Sequence, residues 1–177
     1  MKVLNKIIDY YNSFTKTNIQ YARGVGVKIG SNCRIYIRNF GSEPWLITIG
    51  NKVTITNGVR FINHDGSTWL ISDEKGRRQL FRKIVIGNNV FIGMNAIIMP
   101  GVKIGDNVVV AAGSVVTKSI PSGYIVGGNP TKIITDFNTY KQRVLEKYAS
   151  NSDIDFSKNY KDRVNEILDV SMKDELK

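Results

Sequence analysis

The chain has 177 residues, 42% of them hydrophobic, enough for one domain with a substantial core. No apolar run is long enough to span a bilayer, Met1-Lys2-Val3-Leu4-Asn5-Lys6 lacks the features of a secretory signal, and the single cysteine, Cys33, excludes an intramolecular disulfide; a cytoplasmic protein without a transmembrane segment is expected. The formal net charge of +10 lies in the first 137 residues, which hold 17 basic and 7 acidic side chains against 8 and 8 in the rest, and such a field attracts anions: nucleic acid, a membrane surface, an anionic glycan or a phosphate-bearing ligand.

In chain order, Val3, Leu4, Ile7, Ile8 and Tyr11 share one face of a helix and predict an N-terminal helical segment over residues 1–20. A repeat then takes over. Ile29 and Ile35 are six apart, as are Ile49, Ile55 and Phe61. After a break, Ile86, Ile92, Ile98, Ile104, Val110 and Val116 keep the same spacing without interruption. A small or β-branched residue stands four positions after most of them, as at Val90, Ala96, Val102, Val108 and Ser114. Six is not a helical period and is too long for simple strand alternation. It suits a short strand and a tight turn, three of which make a triangular coil that buries its aliphatic residues against the coils above and below. Gly87-Asn88-Asn89, Gly50-Asn51 and Gly105-Asp106-Asn107 supply corners that tolerate positive φ. A series of hairpins or a sandwich would not hold so long a register. Cys33 falls on an inward repeat position and reads as core.

Two stretches depart from the period. Residues 38–46 contain Pro44-Trp45 and form a small excursion. Residues 62–83 form a longer one, with the basic cluster Lys75, Arg77, Arg78, Arg82 and Lys83; long excursions from a rigid scaffold often carry function. Beyond Pro130-Thr131-Lys132, the break expected before the C-terminal helices, Tyr140, Val144, Leu145 and Tyr148, and then Val164, Ile167 and Leu168, mark two solvated helices. The organisation expected is a helical segment (1–20), a β domain (21–135) and a C-terminal helical extension (136–177).

His64, the only histidine, opens the long excursion. A base working near neutral pH is what transfer to a hydroxyl requires, and histidine is the side chain suited to it. Asp65 reads equally as an acceptor contact or as a turn former before Gly66. Trp45 and Trp69 read as sugar platforms or as rings packed under loops, and Met94 and Met99 as fillers. The basic cluster is either solvated or in contact with an anionic ligand.

From about residue 47 to 133 the chain resembles the hexapeptide-repeat acetyltransferases, of which galactoside and maltose acetyltransferases are members. The run IGNNVFIGMNAIIMPGVKIGDNVVVAAGSVVTKSIPSGYIVGGNPTK follows their acetyl-CoA-binding half almost position by position. Asn63-His64-Asp65-Gly66 stands where they carry Gly-His-Pro, and is most similar to the acetyltransferases of capsule and O-antigen clusters. The resemblance implies a left-handed parallel β-helix, an all-β solenoid of a hand opposite to ordinary crossovers. It implies an acetyl-CoA-dependent O-acetyltransferase acting on a sugar or glycan hydroxyl in surface polysaccharide biosynthesis, a homotrimer with sites between chains, and no metal. It assigns His64 as general base and the backbone N–H of Met94 as oxyanion donor. Phe91, Gly93, Met94, Ala112, Thr117, Lys118 and Lys132 would hold coenzyme A, with Ala112 at the pantetheine arm, Thr117 and Lys118 near the adenosine, and Lys132 at the ribose phosphate. Asn63, Asp65 and Trp69 are the acceptor-binding candidates. Phe91 replaces a family tryptophan, and Thr135 an arginine of the galactoside enzyme.

Other classes remain. Zinc enzymes of the γ-carbonic anhydrase type need three histidines at an interface, which one histidine per chain cannot supply. A structural or glycan-binding β-helix leaves the Thr117-Lys118 and Pro130-Thr131-Lys132 matches unexplained. Nucleic acid is not an expected partner, because no recognised motif accompanies the charge. The nearer rival is an N-acyltransferase on a nucleotide-linked amino sugar.

Overall fold

The structure is a computed structural model that describes residues 17–175. The helix expected around Val3 to Tyr11 lies outside the described residues. The chain divides into two compact units, Met1–Asn138 and Thr139–Lys177.

The first described element is α1 (Asn18–Gly24), started by a capping box in which Thr17 and Gln20 each accept the other's backbone N–H. Ala22 of this helix is fully buried in the core, so the helix crosses the expected boundary at 20/21 and belongs to the sheets that follow. These sheets are built from strands of two to five residues. One contains β1 (Lys28–Ile29), β3 (Ile47–Ile49), β8 (Ile84–Ile86) and β11 (Lys103–Ile104). A second contains β2 (Arg34–Ile35), β4 (Thr54–Ile55), β9 (Val90–Ile92), β12 (Val108–Val110), β14 (Tyr124–Gly127) and β15 (Lys132–Asp136). A third contains β5 (Arg60–Phe61), β10 (Ile97–Ile98) and β13 (Val115–Val116). The chain visits them in rotation, and all pairings are parallel except β14 with β15.

Register shows what six-residue spacing accomplishes. Ile86 pairs with Ile104, Ile92 with Val110 and Ile98 with Val116, each 18 positions on, so three repeats return the chain to the same sheet. All six of these residues are at most 1% exposed, and each stacks on its equivalent. Across the long excursion the offset becomes 37, as in Ile49 with Ile86 and Phe61 with Ile98, yet the pairing is preserved. The break is therefore an insertion between two coils that still stack, not further repeats. Phe40 and Phe61, stacked with centroids 5.9 Å apart, extend the core beside the short excursion.

Positive φ falls on the third residue of each turn, Asn32, Lys52, Asn89 and Asn107, and not on the leading glycine. Asn51, Asn88 and Asp106 in the middle of the turns form a ladder, their side chains accepting the backbone N–H of Ser31, Asn51 and Asn88. Gly50 and Gly87 are small for another reason. A Cβ at Gly50 would lie 2.5 Å from the carbonyl oxygen of Gly87, and one at Gly87 2.4 Å from Asp106 Oδ1. The stacked corners approach too closely for any side chain there.

The stretch Pro130-Thr131-Lys132 leads into a further strand before the helices begin. The chain turns back at Gly128, whose φ is +97°, and β15 runs antiparallel along β14. In this way the sheet acquires a last strand with no hexad signature. Next comes α2 (Phe137–Lys147), within which the division between Asn138 and Thr139 falls. The second unit holds α3 (Tyr160–Glu166), capped by Asn159, with the Arg163 guanidinium over the rings of Phe156 and Tyr160. Among the described residues, no helix is long and apolar enough to cross a membrane.

Candidate active site

The two ends of the long excursion zip together as antiparallel chain. Arg82 N–H donates to the Asn63 carbonyl at 2.7 Å, Asp65 N–H donates to the Leu80 carbonyl at 3.1 Å, and His64 bridges Phe81 between them. This closure fixes His64 at the root of the excursion, its ring tilted against Phe81 with centroids 5.8 Å apart. The excursion also carries the hairpin β6 (Ser72–Asp73) with β7 (Gly76–Arg77).

His64 Nδ1 lies 2.9 Å from Glu43 Oε2. A carboxylate can only accept, so Nδ1 carries the proton and Nε2 is left as the base. The Glu43 side chain is 13% exposed and that of His64 38%, so the carboxylate is sheltered while the imidazole reaches solvent. Glu43 comes from the short excursion, directly before the 3-10 turn Pro44–Leu46. Sequence reasoning passed over it. The available signal was an acidic residue in one of only two breaks of the repeat, within a body that holds seven acidic side chains.

His64 opens on a cleft of about 420 Å³ lined by Ile62, Asp65, Gly66, Leu80, Arg82, Met99, Pro100 and Thr117. Of the expected site residues, the structure thus brings His64, Asp65 and Thr117 together. Asp65 turns its carboxylate back onto the 3-10 helix Gly66–Leu70, accepting from Ser67 N–H at 2.9 Å and Ser67 Oγ at 2.6 Å. These bonds hold its carboxyl below the ordinary aspartate range, and it remains ionised.

Asn63 corrects the expectation of an acceptor contact. It is 1% exposed and its Nδ2 donates to the Arg82 carbonyl at 3.2 Å, so it ties the excursion shut from inside. Its Oδ1 is buried without a partner among the described residues. Trp69 is 72% exposed, stands outside the cleft lining, and lies beneath the Arg77 guanidinium at 5.6 Å.

Apart from Thr117, the positions expected to hold coenzyme A lie outside the lining of this cleft. Phe91 and Met94 are exposed apolar side chains, and Ala112, Thr117, Lys118 and Lys132 are exposed too. Gly113 N–H donates to the Met94 carbonyl, Val115 N–H to the Gly128 carbonyl and Thr131 N–H to the Val115 carbonyl, which joins the stretch from Met94 to Lys132. The N–H groups of Met94 and Ala112 have no partner among the described residues, and Lys118 and Lys132 form no ion pair there. Exposed apolar side chains, amides without a described partner and unpaired lysines in this stretch suit a ligand with an apolar arm and a phosphorylated end. Gly93 plays a different part: a Cβ there would meet Ala112 N at 2.4 Å, so it serves close packing between coils rather than ligand contact. Met94, Phe91 and Lys132 do not line the His64 cleft of the same chain. Among the described residues, no cluster of three potential metal ligands exists.

Residues 83–118 match the family described as bacterial transferase hexapeptide (six repeats). The chain is 49% identical to Protein CapG of Staphylococcus aureus over 144 residues, 80% of this chain and 81% of that protein. It is 34% identical to the galactoside O-acetyltransferase of Escherichia coli K12 over 130 residues, 72% of this chain and 62% of the enzyme. The crystal structure of the hexapeptide-repeat acetyltransferase VCA0836 of Vibrio cholerae O1 biovar eltor, complexed with acetyl coenzyme A, superposes with a TM-score of 0.50 at 30% identity, over 63% of this chain and 61% of that one. The chain thus spans most of CapG but under two thirds of the other two proteins. With its period of six and its three-sheet register, the chain belongs to the hexapeptide-repeat acetyltransferase family.

Proposed function

We propose that the protein is an acetyl-CoA-dependent O-acetyltransferase that modifies a sugar hydroxyl during surface polysaccharide biosynthesis in the cytoplasm, with His64 as the general base. The observation that carries this reading is the 2.9 Å contact between Glu43 and His64 Nδ1 at the mouth of an open cleft. It is supported by likeness to a galactoside O-acetyltransferase and to an acetyltransferase crystallised with acetyl coenzyme A. The similarity of Asn63-His64-Asp65-Gly66 to capsule and O-antigen acetyltransferases supports the polysaccharide setting.

Acetyl-CoA supplies the acetyl group as an activated thioester. His64 Nε2 takes the proton of the acceptor hydroxyl as that oxygen bonds to the acetyl carbon, then hands it to the departing sulfur. Glu43 keeps the imidazole in the working tautomer and balances its positive charge. The Met94 N–H is the donor for the developing oxyanion, Phe91 and Ala112 the wall for the pantetheine arm, and Lys118 and Lys132 the cations for the phosphates. No acyl-enzyme is needed, because no side chain among the described residues pairs with His64 as a nucleophile.

The stacked sheets are read as a left-handed parallel β-helix covering residues 21–135. Met94 and the two lysines stand outside the His64 cleft of their own chain, which favours a homotrimer in which one chain's base faces coenzyme A held partly by its neighbour. The test is coenzyme A release from acetyl-CoA with a panel of sugars. His64→Ala should slow it about 10²–10⁴-fold with acetyl-CoA binding retained. Full activity in that variant would refute the base. Release of the product's acetyl group by mild alkali marks an ester; resistance marks the amide of an N-acyltransferase.

A further inference from the structure

We propose that the acceptor carries an oxyanion close to its reacting hydroxyl, and that Arg82 selects for it. This rests on the His64 cleft being the acceptor site. Arg82 lines that cleft together with His64 and Thr117. Its main chain is gripped on both sides by Asn63, which accepts from its N–H and donates to its carbonyl. Its stem crosses Gly101, where a Cβ would come within 2.8 Å of Arg82 Cδ. The residue is therefore placed by the backbone next to the base and by a gap left for its side chain.

The guanidinium has no counter-ion among the described residues. Of the neighbouring arginines in the excursion, Arg78 pairs with Asp73 and Arg77 covers the Trp69 ring, whereas Arg82 forms no ion pair with any described residue. Asp65 is the carboxylate that lines the same cleft, and it is engaged by Ser67. A guanidinium fork matches the geometry of a carboxylate or a phosphate, and holds it in two bonds where an ammonium holds a point. The coenzyme A phosphates are assigned above to Lys118 and Lys132, neither of which lines this cleft, so Arg82 is left for the acceptor. The basic excess of the body draws an anionic acceptor to it.

The probes are methyl glucuronide for a carboxylate, glucose 1-phosphate for a phosphate, and methyl glucoside as the neutral control. Their binding is titrated by NMR on the native chain, Arg82→Gln, Arg82→Lys and His64→Ala, with melting curves to confirm folding. At least one anion should bind the native chain about tenfold more tightly than the neutral sugar. That ratio should fall toward one in Arg82→Gln, survive partly in Arg82→Lys, and persist in His64→Ala. The anion with the larger ratio identifies carboxylate or phosphate as the group recognised. A native ratio near one for both anions overturns the proposal, as does a ratio unchanged in Arg82→Gln. An Arg82→Gln variant that raises KM for acetyl-CoA while leaving the ratio intact assigns the residue to the donor and also overturns it. The binding ratio does not depend on turnover, so failure here is distinct from failure of His64 as base.

Discussion

Replacing Glu43 by Gln tests the arrangement around His64 most directly. The side chains are nearly isosteric, so the packing of the short excursion is kept while the charge is lost. Two unit charges about 4 Å apart interact by about 4 kcal/mol at an effective dielectric of about 20, and by about 1 kcal/mol in bulk water. With Glu43 13% and His64 38% exposed, the pair falls between these limits. Screening at the exposed imidazole brings the expected loss to about 2–3 kcal/mol in the step where His64 becomes positive. At 1.36 kcal/mol per decade this is a fall in kcat of about 30- to 200-fold. The amide can also turn its NH₂ toward Nδ1 and favour the wrong tautomer, which pushes the value to the high end. The assay is thiol release from acetyl-CoA with the sugar that the native chain uses best, at several acetyl-CoA concentrations. KM for acetyl-CoA should stay within about twofold of native, since the interaction develops in the transition state and not in donor binding. Glu43→Asp, shorter by one methylene, should retain part of the activity. A Glu43→Gln variant with native kcat would refute the argument, leaving Glu43 a structural ligand of the ring.

Two further outcomes follow from the packing. Asn63→Ala removes the bond to the Arg82 carbonyl at the base of the excursion, which should cost about 1–3 kcal/mol. Limited proteolysis should then cleave the excursion faster than in the native chain, and unchanged cleavage would show that the backbone pairs alone hold it. Gly50→Ala sets a methyl 2.5 Å from the Gly87 carbonyl oxygen, where the backbone must shift. The expected loss is about 1–3 kcal/mol, read as a lower melting temperature; the same change at Gly66, where a Cβ meets nothing within 4 Å, is the control.

The repeat was legible because its burial is local and periodic. Ile86 to Val116 each fill the same place in successive turns, so spacing alone exposes them. His64 was legible because it is the only histidine and opens a break in the period. Even the stacking of coils across the excursion follows once the period is known, since hexads resume beyond it. Glu43 was not legible. It stands 21 positions before its partner, and the two meet because one excursion lies over the other when the coils stack. The reason for the corner glycines was hidden likewise. Positive φ and close approach both select glycine, and only the stacked backbone shows that Gly50 and Gly87 answer the second demand while Lys52 and Asn89 meet the first. Asn63 reads in sequence as a polar residue beside the base, and burial alone turns it into a structural tie. Strand β15 pairs antiparallel at a sheet end, held by main-chain bonds that leave no mark in side-chain period. The sequence determined what repeats with the chain, and tertiary structure decided what meets across it, because contacts between separate excursions depend on the register of everything stacked between them.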